Sequence, residues 1–321
     1  MTDAVGLGER KTPANHASFL NWIVARRVSA FHCTPTDRNL VKKIASTFVS
    51  GFWETMTFGN SDASIRHVES NNDERFKPFF VEGAALALAA ARALPFFKAT
   101  SEPSDLIYKL PGYKHVIYAG CGWWHAFMPR PARNFQNSID STDIFSSITI
   151  DGTAFARAFL FARPPNFDLK IPSVANAKKR LWIQGYGRAL WFLGSADISI
   201  IERQRKRVGV ELSADLDAGL GLASGFAGMV SPASTFPTTI RANKPAYLQG
   251  YAFGLTARAM SSPATFSSWL LSLTPSEKQN AQRLISRCLV EPRSINNCPS
   301  NVYTEWQDEL RAEFQLYESK L

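Results

Sequence analysis

A short phrase recurs through this chain about every 33 residues: a polar or small residue, then Gly, then a run of small and apolar residues. It reads Ser50-Gly51-Phe52-Trp53, Glu82-Gly83-Ala84-Ala85, Ala119-Gly120-Cys121-Gly122, Asp151-Gly152-Thr153-Ala154, Gln184-Gly185-Tyr186-Gly187, Ala218-Gly219-Leu220-Gly221 and Gln249-Gly250-Tyr251-Ala252. Self-similarity at such a period is the mark of stacked supersecondary units.

Four residues beyond the glycine most copies carry a second small residue: Gly83/Ala87, Gly152/Ala156, Gly185/Ala189, Gly219/Ala223 and Gly250/Gly254. Positions i and i+4 share one face of a helix, so the phrase predicts a helix with a stripe that admits a close neighbour. Glycine costs about 1 kcal/mol against alanine inside a helix, and its repetition implies packing or cavity space in return. The segments between, divided by proline-marked turns, read as partner helices. The expectation is an all-α chain of about seven helical hairpins, each with a helix that opens on the glycine phrase, forming an α/α ring or a superhelical solenoid. Residues 1–20 read as a loosely ordered N-terminus and 21–321 as one helical-repeat domain, with Glu305–Leu321 as a capping helix. The glycine helices are the less polar set and are expected to face inward.

Hydrophobic residues at 45% and charged residues at 20% suit a large core, and 23 Phe with 8 Trp suit an apolar cavity as well. The net charge of +9 comes from clusters such as Lys178-Lys179-Arg180 and Arg203–Arg207. No nucleic-acid motif accompanies them, so they read as solvated helix faces or a contact for an anionic partner. Four cysteines without CxxC spacing argue against a zinc site. The N-terminus lacks an apolar signal core and no stretch offers about 20 uninterrupted apolar residues. A cytoplasmic location without membrane association is expected.

The residue before each glycine is the sharpest candidate for chemistry. Glu82, Asp151, Gln184 and Gln249 would stand at equivalent depth around one rim, where burial raises a carboxyl pKa toward that of a neutral-pH proton donor. The alternative is helix capping, since acidic residues favour the first turn. Cys121 and His125 share a helix face, where an imidazole can activate a thiol; a buried thiol beside a hydrogen-bonded imidazole is the competing reading. Asp215 and Asp217 form an Asp-x-Asp that suits either a protonating acid, a diphosphate-bound Mg²⁺ or a helix cap. No other cofactor and no resident metal is expected. Trp123, Trp124, Phe155, Tyr186, Arg188, Trp191 and Tyr251 complete the expected substrate-binding set with Gln184 and Gln249.

Several of these phrases, in order, resemble the bacterial UnbL family, domain of unknown function 1702: Phe80–Ala85, Tyr118–Trp123, Asp151-Gly152, Gly187–Phe192, Asp215–Ala223 and Gln249–Phe253. The likeness runs from about residue 20 to 260. It implies a role in natural-product biosynthesis, because such genes accompany enediyne polyketide synthases and other secondary-metabolite clusters, and it implies no particular reaction. The chain departs from the family pattern at Trp124-His125 and at Thr153-Ala154-Phe155-Ala156, which points to a different pocket and substrate. The resulting expectation is a protein that holds a polyketide, polyene or isoprenoid chain in an apolar cavity and cyclises or isomerises it by acid–base chemistry. The alternative is a non-catalytic scaffold for a synthase or carrier protein.

Overall fold

Helix starts along this chain are set largely by proline. Pro78, Pro103, Pro245, Pro263 and Pro275 each occupy the first turn of a helix, where the missing amide hydrogen is no loss and the fixed φ already suits the helix. Pro245, which the sequence marks as a turn, is therefore a helix opening. A capping box of Thr274 and Glu277 reinforces one of them. The structure, a computed structural model, describes residues 25–31, 35–70, 73–94, 100–127, 143–163, 166–168, 170–194, 197–228, 243–289 and 298–318. The predicted loose N-terminus, residues 1–20, and Cys33 lie outside them.

Every regular element among the described residues is helical, as expected for an all-α chain. They are α1 (Pro35–Phe58), α2 (Ser61–Ser70), α3 (Lys77–Ala93), α4 (Pro103–Lys109), α5 (Lys114–Ala126), α6 (Ile148–Phe161), α7 (Asn176–Gly194), α8 (Ile198–Val208), α9 (Val210–Ala223), α10 (Lys244–Ser261), α11 (Pro263–Ser272), α12 (Pro275–Cys288) and α13 (Pro299–Glu318). Short 3₁₀ turns cover Pro111–Tyr113 and Ile144–Ser147, and a π-helical turn, Ser224–Gly228, continues α9.

The glycine phrase lies on α1, α3, α5, α6, α7, α9 and α10, and these helices pack on one another in chain order. Two expectations need correction. The phrase does not open every helix: Glu82 is the sixth residue of α3 and Gln184 the ninth of α7, whereas Asp151 stands in the first turn of α6. N-terminal placement therefore does not explain Glu82 or Gln184, and for Asp151 the favourable first-turn position holds. Nor is each glycine helix preceded by a partner helix. α2, α4 and α8 fill that place in three intervals, whereas the described residues between α6 and α7 are non-helical.

The glycines act through backbone contact. A Cβ added at Gly120, Gly152, Gly185, Gly219 or Gly250 would collide with the carbonyl of Glu82, Ala119, Asp151, Gln184 or Ala218, in each case the residue before the glycine of the preceding helix. Reciprocally, Gly122, Gly187 and Gly221 lie against Thr149, Leu216 and Tyr247, three residues before the glycine of the following helix. The same register recurs from pair to pair, and it corrects the first copy. Gly51 lies against Phe80 and Gly83 against Phe48. Gly51 thus plays the part of Gly122 or Gly187, and the lead residue of α1 is Phe48, two residues upstream of Ser50.

The stretch Ile144–Phe161 is long and apolar enough by length and composition to cross a membrane, and 67% of it is buried inside the protein. Its apolar surface is accounted for by packing against α5 and α7. Cys121, Cys288 and Cys298 are free thiols.

Candidate functional site

Taking the lead residue as origin, the positions four and eight further on continue the same helix face. At lead plus four stand Phe52, Leu86, Trp123, Phe155, Arg188, Leu222 and Phe253. At lead plus eight stand Met56, Ala90, Phe127, Phe159, Phe192, Phe226 and Ala257. All fourteen line one or other of two cavities. The glycine stripe brings the helix backbones together, and the lead stripe beside it is turned to these two spaces.

The first cavity has a volume of about 410 Å³ and is walled by α1, α3, α5, α6, α7, α9 and the π-helical turn. Its walls are apolar except for Glu82 and Arg188. Phe155 and Phe159 stack at 5.6 Å, and Phe192 meets both edge-on at 5.5 and 6.1 Å. Trp123 closes the group at 5.4 Å from Phe155. The second cavity, about 300 Å³, lies between α5, α6, α7, α9, α10, α12 and α13 and is more polar. Lys114, His115, Asp151, Gln184, Arg188, Thr256 and Tyr303 are on its wall. Both volumes are of the size that small-molecule sites occupy.

Arg188, Leu222 and Phe226 line both cavities. Arg188 is the one charged residue on the lead-plus-four stripe. Its guanidinium lies 4.4 Å from the centre of the Phe155 ring, and its Nη2 is 3.1 Å from Asp151 Oδ1. That pair is close but poorly aligned, because neither atom has a hydrogen-bond partner among the described residues. Asp151, 1% exposed, accepts a hydrogen bond from Gln184 Nε2 at 3.1 Å. Gln184 is held in turn by a donor from Gln307 of α13. Glu82 accepts from Trp123 Nε1 at 3.0 Å.

Burial pushes both carboxyls above the ordinary carboxylate range. Arg188 opposes the rise in each, as do the Trp123 donor at Glu82 and the Gln184 donor at Asp151. Two carboxyl groups and one guanidinium thus share the centre of the protein, in surroundings that favour a neutral proton-carrying carboxyl. A carboxyl that keeps its proton is a proton donor.

The expected site residues divide accordingly. Glu82, Asp151, Trp123, Trp124, Phe155, Gln184 and Arg188 are on the cavity walls. Tyr186, Trp191, Gln249 and Tyr251 are on neither. Tyr186 and Tyr251 follow the glycine directly and so point off the lead face; Tyr186 donates to the Phe167 carbonyl at 2.8 Å, and Tyr251 is fully buried against Tyr247. Trp191 packs edge-on against Phe192. Gln249 accepts from Arg311 Nε at 3.2 Å.

Asp215 and Asp217 are also removed from the cavities, and both lie mid-helix in α9, so neither caps it. Two residues apart on a helix, they diverge. Asp215 pairs with Arg311 at 2.8 Å and Arg180 at 3.2 Å, and Asp217 pairs with Arg205 at 3.2 Å. Burial lifts the Asp217 carboxyl to about 6. Each aspartate is held by arginine and the two do not converge on one point, so the pair offers no seat for diphosphate-bound Mg²⁺. No group of three or more His, Cys, Asp or Glu that would hold a metal occurs among the described residues.

Cys121 and His125 lie in the core rather than on a cavity. Burial pushes the thiol up to about 12 and the imidazole down, so both are neutral at physiological pH and no thiolate nucleophile is formed.

Sequence reasoning missed His115, Phe159, Phe192, Phe226, Tyr303 and Trp306. The four-residue step from Phe155 to Phe159 and from Arg188 to Phe192 was a usable signal for two of them. Tyr303 and Trp306 lie on α13, outside the glycine pattern. Burial pushes the His115 imidazole down to about 3, with help from Arg258 and Arg188, so it is neutral.

The fold and site define a protein whose described elements are all helical, with glycine-packed helices that line apolar space and a buried carboxyl–guanidinium cluster on its wall. The chain belongs to the family described as protein of unknown function, DUF1702, whose model matches residues 24–314. No curated protein and no solved structure matches it.

Proposed function

We propose that the protein binds a hydrophobic polyketide, polyene or isoprenoid chain and rearranges it by acid–base chemistry, as a step in natural-product biosynthesis. The supporting observation is the lead stripe, which directs aromatic and aliphatic side chains from successive helices into an apolar cavity with Glu82 and Arg188 on its wall, Asp151 standing 3.1 Å from Arg188 on the wall of the second cavity. In an isomerisation, a carboxyl of the pair Glu82/Asp151 gives its proton to an alkene carbon. A carboxylate of the pair then takes a proton from a neighbouring carbon, and the acid is restored with no net change of atoms. The aromatic faces of Trp123, Phe155 and Phe192 suit the cationic charge that develops meanwhile. A cyclisation uses the same proton gain and loss about a ring-forming step. The C-terminal end of α10 supports a curved, ring-like arrangement of the helices, since Arg258 donates to the Arg75 carbonyl at 2.7 Å and Ser262 to that of Glu74 at 2.8 Å.

A scaffold that docks a synthase through the basic clusters draws less support. Arg180, Arg205 and Arg207 are engaged with Asp215, Asp217 and Asp168 of the same chain.

The test is metabolite profiling of cells that carry the wild type, Glu82→Gln or Asp151→Asn. Both variants are near-isosteric and should accumulate folded. At least one is expected to lose a wild-type product and accumulate its precursor. Unchanged metabolites in both variants would refute acid–base catalysis here.

A further inference from the structure

Three polar atoms on the wall of the second cavity are shielded from solvent and lack a hydrogen-bond partner among the described residues: His115 Nε2, Asp151 Oδ1 and Arg188 Nε. Arg188 Nη2 is in the same state. Buried polar groups are nearly always satisfied, and each exception calls for a physical reason. Asp151 Oδ1 and Arg188 Nη2 at least face each other as an ion pair at 3.1 Å, whereas leaving a buried group wholly unpaired costs about 1–3 kcal/mol, so His115 Nε2 and Arg188 Nε are a standing cost to the fold unless a ligand group relieves it. The first cavity shows the opposite character, apolar throughout except at the end where Arg188 and Glu82 stand.

The two spaces share the side chains of Arg188, Leu222 and Phe226. Phe226 belongs to the π-helical turn Ser224–Gly228, an irregularity that commonly marks functional positions. The shared partition is thus made of side chains.

We propose that the two cavities are one binding site for a single linear chain, with its apolar length in the first and an oxygen-bearing group, a carbonyl or carboxylate, in the second. The N–H groups of Arg188 are donors for that oxygen, and His115 Nε2 and Asp151 Oδ1 border it. Rotation of Leu222 and Phe226 lets the chain pass. This rests on the chain-binding reading above and narrows its substrate to a linear amphiphile oxygenated at or near one end. The oxygen function would lie within reach of Asp151, so the rearranged bonds are those close to it.

Two fluorescent probes test this on the full chain: cis-parinaric acid, a linear polyene carboxylic acid, and diphenylhexatriene, a polyene without oxygen. Ala90→Trp fills the first cavity and Ala257→Trp the second. Each is expected to weaken cis-parinaric acid by at least about tenfold, as loss of a few methylenes from apolar contact does. His115→Phe and Arg188→Met are each expected to weaken cis-parinaric acid by about tenfold, the loss of one charge-assisted or buried hydrogen bond, and to leave diphenylhexatriene unchanged. Unaltered cis-parinaric acid affinity in folded Ala257→Trp would overturn the shared site. Equal effects on both probes in His115→Phe and Arg188→Met would overturn the oxygen contact. Wild-type protein that binds neither probe would remove the chain-binding reading itself.

Discussion

Substitution of Gly185 by alanine puts the packing account to a quantitative test. A Cβ at Gly185 would stand 2.7 Å from the carbonyl carbon of Asp151 and 2.8 Å from its Cα, and nearer still to its oxygen. Ordinary contacts of a Cβ begin at 3.4 Å. Both partners are helix backbone, so no rotamer change relieves the overlap, and α6 and α7 must separate. Overpacking of a close-packed interior costs about 1–3 kcal/mol, sometimes more, and a backbone collision belongs at the upper end. The gain in helix propensity returns about 1 kcal/mol. The expected net loss is about 2 kcal/mol or more, read as the shift in the urea midpoint followed by far-UV circular dichroism. Gly194→Ala is the control. There the new Cβ meets the Cγ2 of Ile200 at 3.2 Å, a side-chain methyl and not helix backbone, and the loss should be smaller than at Gly185 by about 1 kcal/mol or more. A Gly185→Ala protein as stable as its Gly194→Ala counterpart would refute backbone contact as the role of the lead glycines.

Three further outcomes follow from the charges and the cavity. Asp215→Asn leaves Arg180 and Arg311 without their buried carboxylate and should cost about 3 kcal/mol, yet cis-parinaric acid affinity should be unchanged because Asp215 lines neither cavity; a loss of affinity in folded protein would restore it to the site. Arg188→Met should lose stability in a pH-dependent way. The carboxyls of Glu82 and Asp151 have folded pKa values raised above the unfolded ones, so their burden on folding is absent below the ordinary carboxylate range and grows as pH rises toward the folded values. Removing Arg188 lifts those values further, so the melting-temperature deficit should be smallest where both carboxyls are neutral in the folded wild type and widen as pH rises through their folded values; a deficit independent of pH would refute the coupling. Phe155→Ala deletes a ring that touches Trp123, Phe159 and Phe192. It should cost about 3 kcal/mol, and thermal unfolding at matched pH checks it.

The helical character was legible because the small residues at glycine plus four repeat in most copies. The lead carboxylates were legible because Glu82 and Asp151 precede the glycine in the plainest copies. The register of α1 was not. Ser50-Gly51 has the look of the other phrases, but the two glycine roles sit two residues apart and call for the same missing Cβ, so only the partner carbonyls, Phe80 for Gly51 and Phe48 for Gly83, tell them apart. Tyr186 and Tyr251 were misjudged for a related reason. The residue after the glycine is two positions past the lead and so about two hundred degrees round the helix from it, so proximity in sequence was the wrong guide. The basic run from Arg203 to Arg207 gave no hint that Arg205 turns inward to Asp217. The wall supplied by α13 depends on where the chain end returns, which no local pattern encodes.

The central claim is that the glycine-packed helices enclose a site for an apolar chain. Native mass spectrometry of the protein purified from the cells that make it tests this most directly. The account predicts a one-to-one adduct that is released on denaturation as a linear, oxygen-bearing apolar molecule and that is absent from the Ala90→Trp variant. A bare wild-type chain that also gains no mass with added cis-parinaric acid would contradict it.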